Sequence, residues 1–107
     1  MMDVPARSWV RVGRVDELPA DKGKTVRIGR RELAIFHVGG KVYALSNVCP
    51  HAGGPLAEGY LVEGPTIECP WHYWGFRLWD GRCTHFEDAK VETFEVRVEA
   101  GEVSVLV

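Results

Sequence analysis

Apolar and polar residues alternate with a period of two along most of this chain, and no stretch carries the 3.6-residue period of an amphipathic helix. Near the end, Phe94, Val96 and Val98 alternate with Glu95, Arg97 and Glu99. After Ala100-Gly101, Val103, Val105 and Val107 alternate with Ser104 and Leu106. That pattern predicts an antiparallel hairpin with one buried face. Arg31–Val38 and Lys41–Ser46 flank Gly39-Gly40, a pair suited to a primed two-residue turn. Residues 8–12 and 25–28 read as further short strands. Residues 16–24, with Pro19 and Gly23, read as a connecting loop.

The middle of the chain breaks this pattern. Gly53, Gly54, Gly59 and Gly64, with Pro50, Pro55 and Pro65, make residues 49–65 loop-rich. Short apolar strands follow at Thr66–Glu68 and at 74–79, and Asp80-Gly81 then turns the chain. The prediction is an all-β, antiparallel sandwich or barrel base built from residues 1–45 and 81–107. A small loop-bearing insertion at about 46–80 interrupts it, and residues 1–107 form a single domain, as the length favours.

Composition narrows the classes. An apolar share of 46% and a charged share of 26% are those of an ordinary globular protein. A net charge of −2 without a basic tract argues against nucleic acid and anionic membranes as partners. No run approaches the roughly 18 apolar residues of a membrane span, and residues 1–7 lack the apolar core of a signal peptide. Three cysteines make an odd count, unlike a disulfide framework, so the cytoplasm is the expected compartment.

The chemistry sits in the loop-rich middle. Cys49-Pro50-His51 and, after seventeen intervening residues, Cys69-Pro70-Trp71-His72 each pair a thiolate with an imidazole. Four such ligands suit either a tetrahedral zinc or a two-iron cluster. Zinc modules usually pair Cys with Cys and His with His, the histidines on a helix; here the pairs are mixed and lie in β-rich loops. In a [2Fe–2S] centre with two cysteines on one iron and two histidines on the other, neutral imidazoles leave the oxidised cluster with no net formal charge. Adding an electron is then easier than in a four-cysteine cluster.

At this point the chain closely resembles the Rieske family. Cys-x-His, seventeen residues and Cys-x-x-His is that family's signature, and the flanks Cys49-Pro-His-Ala-Gly-Gly-Pro-Leu56 and Cys69-Pro-Trp-His-Tyr-Trp-Gly-Phe76 match as well. The resemblance implies one [2Fe–2S] cluster, with Cys49 and Cys69 on the inner iron and His51 and His72 on the outer. It implies a Rieske-like base carrying an inserted cluster-binding subdomain. Gly54 and Trp71 stand where the high-potential respiratory members have a disulfide, while Trp74 and Phe76 replace their serine and tyrosine hydroxyls. Those differences, with the lack of that branch's membrane anchor, place the expected potential at the low end of the family range.

The expected role is therefore electron transfer without catalysis. A soluble ferredoxin would carry single electrons from a flavin-dependent NAD(P)H reductase to a terminal oxygenase or reductase. With four histidines, no second 2-His-1-carboxylate site of an oxygenase subunit is identifiable. The alternatives are the small subunit of an assimilatory NAD(P)H nitrite reductase and, from a different class, a structural zinc-binding interaction module. Gly53, Gly54 and Pro55 are expected to shape the first loop, and Leu56, Trp71 and Trp74 to shield the cluster. Core packing is the simpler reading of Trp74 and Trp79. Cys83 is read as a small hydrophobe, and His37 as a structural or surface residue. His85 lies in residues 83–88, where family members often have a proline-rich covering loop and this chain has no proline. Glu58, Glu63, Glu87 and Asp88 form either a solvated face or a surface for a basic partner.

Overall fold

The computed structural model describes residues 7–107 and contains ten strands with two short 3-10 turns. In chain order the strands are β1 (Trp9–Arg14), β2 (Lys24–Ile28), β3 (Arg31–Val38), β4 (Lys41–Ser46), β5 (Tyr60–Val62), β6 (Thr66–Glu68), β7 (Gly75–Arg77), β8 (Thr93–Phe94), β9 (Val96–Glu99) and β10 (Glu102–Leu106). They form three antiparallel sheets, ordered β1-β10-β9, β2-β3-β4-β8 and β5-β6-β7. Among the described residues no α-helix occurs, and no helix is long and apolar enough to cross a membrane.

The β3–β4 hairpin is the centre of the fold. Leu33, Ala34, Ile35 and Phe36 are consecutive and completely buried. Successive side chains of a strand point to opposite faces, so a run of this kind is stable only if both faces of the sheet are covered. They are. Leu33 and Ile35 join Ala44 and Val105, with Val12, Val26, Phe94 and Val96 packed around them, in the core facing the β1-β10-β9 sheet. Ala34 and Phe36 join Leu45, Leu56, Ile67, Phe76 and both Cys49 and Cys69 in the second core, under the β5-β6-β7 sheet. Each large side chain buried this way contributes on the order of 1.5–3 kcal/mol.

Three expectations from the sequence need correcting. The pattern at 94–99 is not one strand of one hairpin. Phe94 pairs with Ala44 of the central sheet, whereas Val96–Glu99 pairs with β10, and Glu95 is the corner where the chain changes sheets. The Glu95 carbonyl still accepts the Leu106 N–H at 3.0 Å, so the bend leaves that backbone pairing intact. Val98, on the same face of β9 as Val96, is 45% exposed. The strand expected at 74–79 shortens to Gly75–Arg77, because Gly81 donates its N–H to the Arg77 carbonyl at 2.8 Å and starts the turn early. Trp79 is half exposed and lies outside the core; the Arg77 guanidinium covers its ring at 4.9 Å. Arg77 also pairs with Asp80 and holds its carboxyl below the usual carboxylate range. The short strand Tyr60–Val62 was not apparent in the sequence. It holds through pairing with β6.

Asn47, buried at 1% exposure, ties the loop that follows Cys49 to this base. Its backbone N–H donates to the Glu32 carbonyl at 2.8 Å, and its side-chain N–H donates to the Glu32 carboxylate at 2.8 Å. Its side-chain oxygen accepts the Ala57 N–H at 2.6 Å, and its carbonyl accepts the Leu56 N–H at 2.8 Å. Asn47→Ala leaves the Ala57 N–H without its acceptor in a buried site. It should cost about 2–3 kcal/mol in chemical denaturation of the purified protein. Asn47→Asp should cost more at neutral pH, because a second carboxylate then faces Glu32. That excess should fade as the pH is lowered until one carboxyl is protonated.

Candidate metal centre

Cys49 and Cys69 open two loops with the same backbone design. The Cys49 N–H donates to the Gly54 carbonyl at 2.9 Å, and the Cys49 carbonyl accepts the Gly53 N–H at 2.8 Å. In the second loop the Cys69 N–H donates to the Trp74 carbonyl at 2.8 Å, and the Cys69 carbonyl accepts the Tyr73 N–H at 2.9 Å. Each loop has a proline directly after its cysteine and a residue with positive φ four positions after it: Gly53 at 80° and Tyr73 at 61°. Glycine fills that left-handed slot freely; a tyrosine there costs about 1–2 kcal/mol.

These twin turns sort the donors by depth. Both cysteines are 1% exposed and belong to the second core, whereas His51 and His72 are exposed. The two imidazoles meet edge to face with ring centroids 4.9 Å apart. Burial raises the pKa of the Cys49 thiol, hydrogen bonds from the backbone N–H groups of His51 and Ala52 oppose the rise, and the neighbouring Cys69 adds to it. Those N–H groups are aimed at a sulfur that would carry negative charge once metal displaced its proton.

The loops interlock at Gly54. A methyl group built there would lie 2.6 Å from the Cys69 sulfur and 3.1 Å from the Trp71 ring, so the first loop closes over the second only because this residue has no side chain. The donor chemistry and this close approach fit a binuclear centre with sulfur ligands inside and nitrogen ligands outside.

Aromatic residues surround the histidine side. Trp74 lies flat on His51, with centroids 4.1 Å apart and planes 5° apart, and Phe86 packs on Trp74 at 4.4 Å. Trp74 thus touches both the core and a ligand candidate, which core packing alone does not describe. Residues 83–88 reach the site without proline. The Thr84 N–H donates to the Gly75 carbonyl at 2.8 Å, and the Gly75 N–H donates to His85 Nδ1 at 3.4 Å. Leu56 is completely buried beneath the loops, while Trp71 is exposed beside His72. Cys83 is partly buried against the core, and His37 sits in β3 opposite Val42. Reading the sequence missed Asn47 and Phe86. Their partners, Glu32 and Trp74, lie too far away along the chain for a local pattern to reveal.

This fold and ligand arrangement define a class. The model of the Rieske [2Fe-2S] domain matches residues 8–95, and the chain belongs to that family. Its cofactor is accordingly a [2Fe–2S] cluster held by cysteine and histidine side chains. The chain is 30% identical over 95 residues to the ferredoxin component of the naphthalene 1,2-dioxygenase/salicylate 5-hydroxylase systems of Ralstonia sp, covering 87% of this chain and 89% of that protein. It is similar to the solved ferredoxin of carbazole 1,9a-dioxygenase from Nocardioides aromaticivorans IC177, at 31% identity and a TM-score of 0.85, over 92% of this chain and 96% of that one. It is also similar to a Mycobacterium tuberculosis protein provisionally assigned as an NADH-dependent nitrite reductase small subunit, at 25% identity and a TM-score of 0.87, over 98% and 97% of the two chains.

Gly54→Ala provides a steric test of the interlocked loops. The added methyl should push the loops apart and lower iron and sulfide per chain severalfold, measured with visible absorption after anaerobic purification. Full occupancy would contradict the close approach.

Proposed function

We propose that this protein is a soluble, cytoplasmic, low-potential ferredoxin that carries single electrons from a flavin-dependent NAD(P)H reductase to a terminal oxygenase. In this reading Cys49 and Cys69 hold the inner iron of the cluster and His51 and His72 the outer, with residues 46–80 acting as a cluster-binding subdomain on a base of 1–45 and 81–107. The observation that supports it most is the sorting by depth: sulfur donors in the core, imidazole edges at the surface. When bound, the cluster supplies a one-electron redox couple. The buried side keeps water from the sulfurs, and the exposed imidazoles shorten the path to a partner.

Charge and surroundings support the low end of the family's range of about −150 to +300 mV. Phe76 is a completely buried apolar ring with no donor, and Trp74 presents its face to His51. Neither offers the hydroxyl that would stabilise the extra negative charge of a reduced cluster. The likeness to the nitrite reductase subunit supports a second reading, in which the terminal acceptor is a reductase; retention of all four ligands favours the shuttle.

The loaded protein should be red-brown, take up one electron and show a reduced-state EPR signal. A colourless protein holding stoichiometric zinc after anaerobic purification would overturn this reading. His72→Cys adds a negative charge at the outer iron and should lower the potential; each ~59 mV corresponds to a tenfold change in the one-electron equilibrium. A raised or unchanged potential in a variant that keeps its cluster would refute the charge argument.

A further inference from the structure

Tyr73 occupies a backbone slot that its twin loop fills with Gly53, and its ring stays more than half exposed, so burial in the core does not offset the strain. It stacks on Tyr60 of β5, with centroids 5.7 Å apart. The pair is joined through the backbone of the second loop to a second run of ring contacts. His72 follows Trp71 and precedes Tyr73, touches His51, and His51 leads through Trp74 to Phe86. Val48, Tyr60, Trp71, Tyr73 and Phe86 are each at least half exposed there, a concentration of apolar surface that marks an interaction site.

The segments that build this surface carry charge of one sign, with Arg77 and Arg82 reaching the cavity beside Glu87 and Lys41 the cavity beside Glu63. Residues 47–76 and 83–89 hold Glu58, Glu63, Glu68, Glu87 and Asp88 and not one lysine or arginine; all 13 basic residues lie elsewhere. A net charge of −2 therefore divides into acidic loop segments and a basic remainder of the chain. Building on the electron-carrier reading, we propose that Tyr60 and Tyr73 form an aromatic shelf beside His72 that docks an electron-transfer protein whose contact surface is apolar at its centre and cationic at its rim. The strain at Tyr73 is offset when the partner covers the ring, and the acidic rim steers the encounter.

The test uses the cluster-loaded, reduced protein and four oxidants in stopped flow: tris(phenanthroline)cobalt(III), which is cationic and aromatic; hexaammineruthenium(III), cationic without rings; ferricyanide, anionic; and cytochrome c, a protein with a lysine-rimmed haem edge. Rates with the cations and with cytochrome c should fall with added salt, while the ferricyanide rate should rise. Tyr73→Gly should slow tris(phenanthroline)cobalt(III) and cytochrome c about five- to tenfold, leave hexaammineruthenium(III) unchanged, keep the EPR signal and potential, and hold or raise Tm. Tyr60→Thr, which suits a strand, should slow the same two oxidants. Unchanged rates in both variants would overturn the shelf. A lowered Tm or altered EPR signal in Tyr73→Gly would also overturn it, by making the ring a structural part of the loop. A wild type that takes up no cluster removes the electron-carrier reading and this inference with it; a loaded wild type with unresponsive variants removes the inference alone.

Discussion

Everything else in this structure depends on covering both faces of the β3–β4 hairpin. Leu33 to Phe36 leave no side exposed, so one sheet must pack against each face. The face bearing Leu33 and Ile35 takes the chain's termini in the β1-β10-β9 sheet. The face bearing Ala34 and Phe36 takes the loop-rich middle. Because Cys49 and Cys69 are themselves members of that second core, the candidate site is one wall of the protein's interior. Packing places the sulfurs, and the loops then place the imidazoles outward.

The twin turns show how little local sequence is needed to build such a site. A cysteine, a proline after it and a left-handed residue four positions on are common to both loops, and the hydrogen-bond pattern repeats with them. What differs is the position of the histidine, two residues after one cysteine and three after the other. Two copies of one turn, interlocked at Gly54, thereby present a buried pair of one donor type and an exposed pair of the other. Asn47 anchors the first loop to Glu32 of the central sheet.

Departures from the simplest solution cluster on the exposed side. The second loop accepts a strained tyrosine where glycine would serve, and an aromatic side chain, Phe86, packs over Trp74. Both replace backbone economy with exposed rings around the histidines. Stability gives no reason for that choice, since exposed aromatic surface returns little free energy until something covers it.

Alternation near the end of the chain and the Gly39-Gly40 turn by themselves determined the all-β class and the bounds of β3 and β4, because strand period and turn chemistry are local properties. Spacing and flanking residues pointed to the family and its [2Fe–2S] cofactor, because ligand chemistry is carried by residue type. Tertiary structure alone decided the rest. The bend at Glu95 depends on which sheet is near enough to pair, and the three-residue β5 exists only through β6. The exposure of Trp79, the stack of Trp74 on His51 and the shelf of Tyr60 and Tyr73 join residues whose neighbours lie elsewhere in the chain. A periodic pattern states that a face is apolar; only the packed fold states what covers it, and on the histidine side it leaves those rings uncovered.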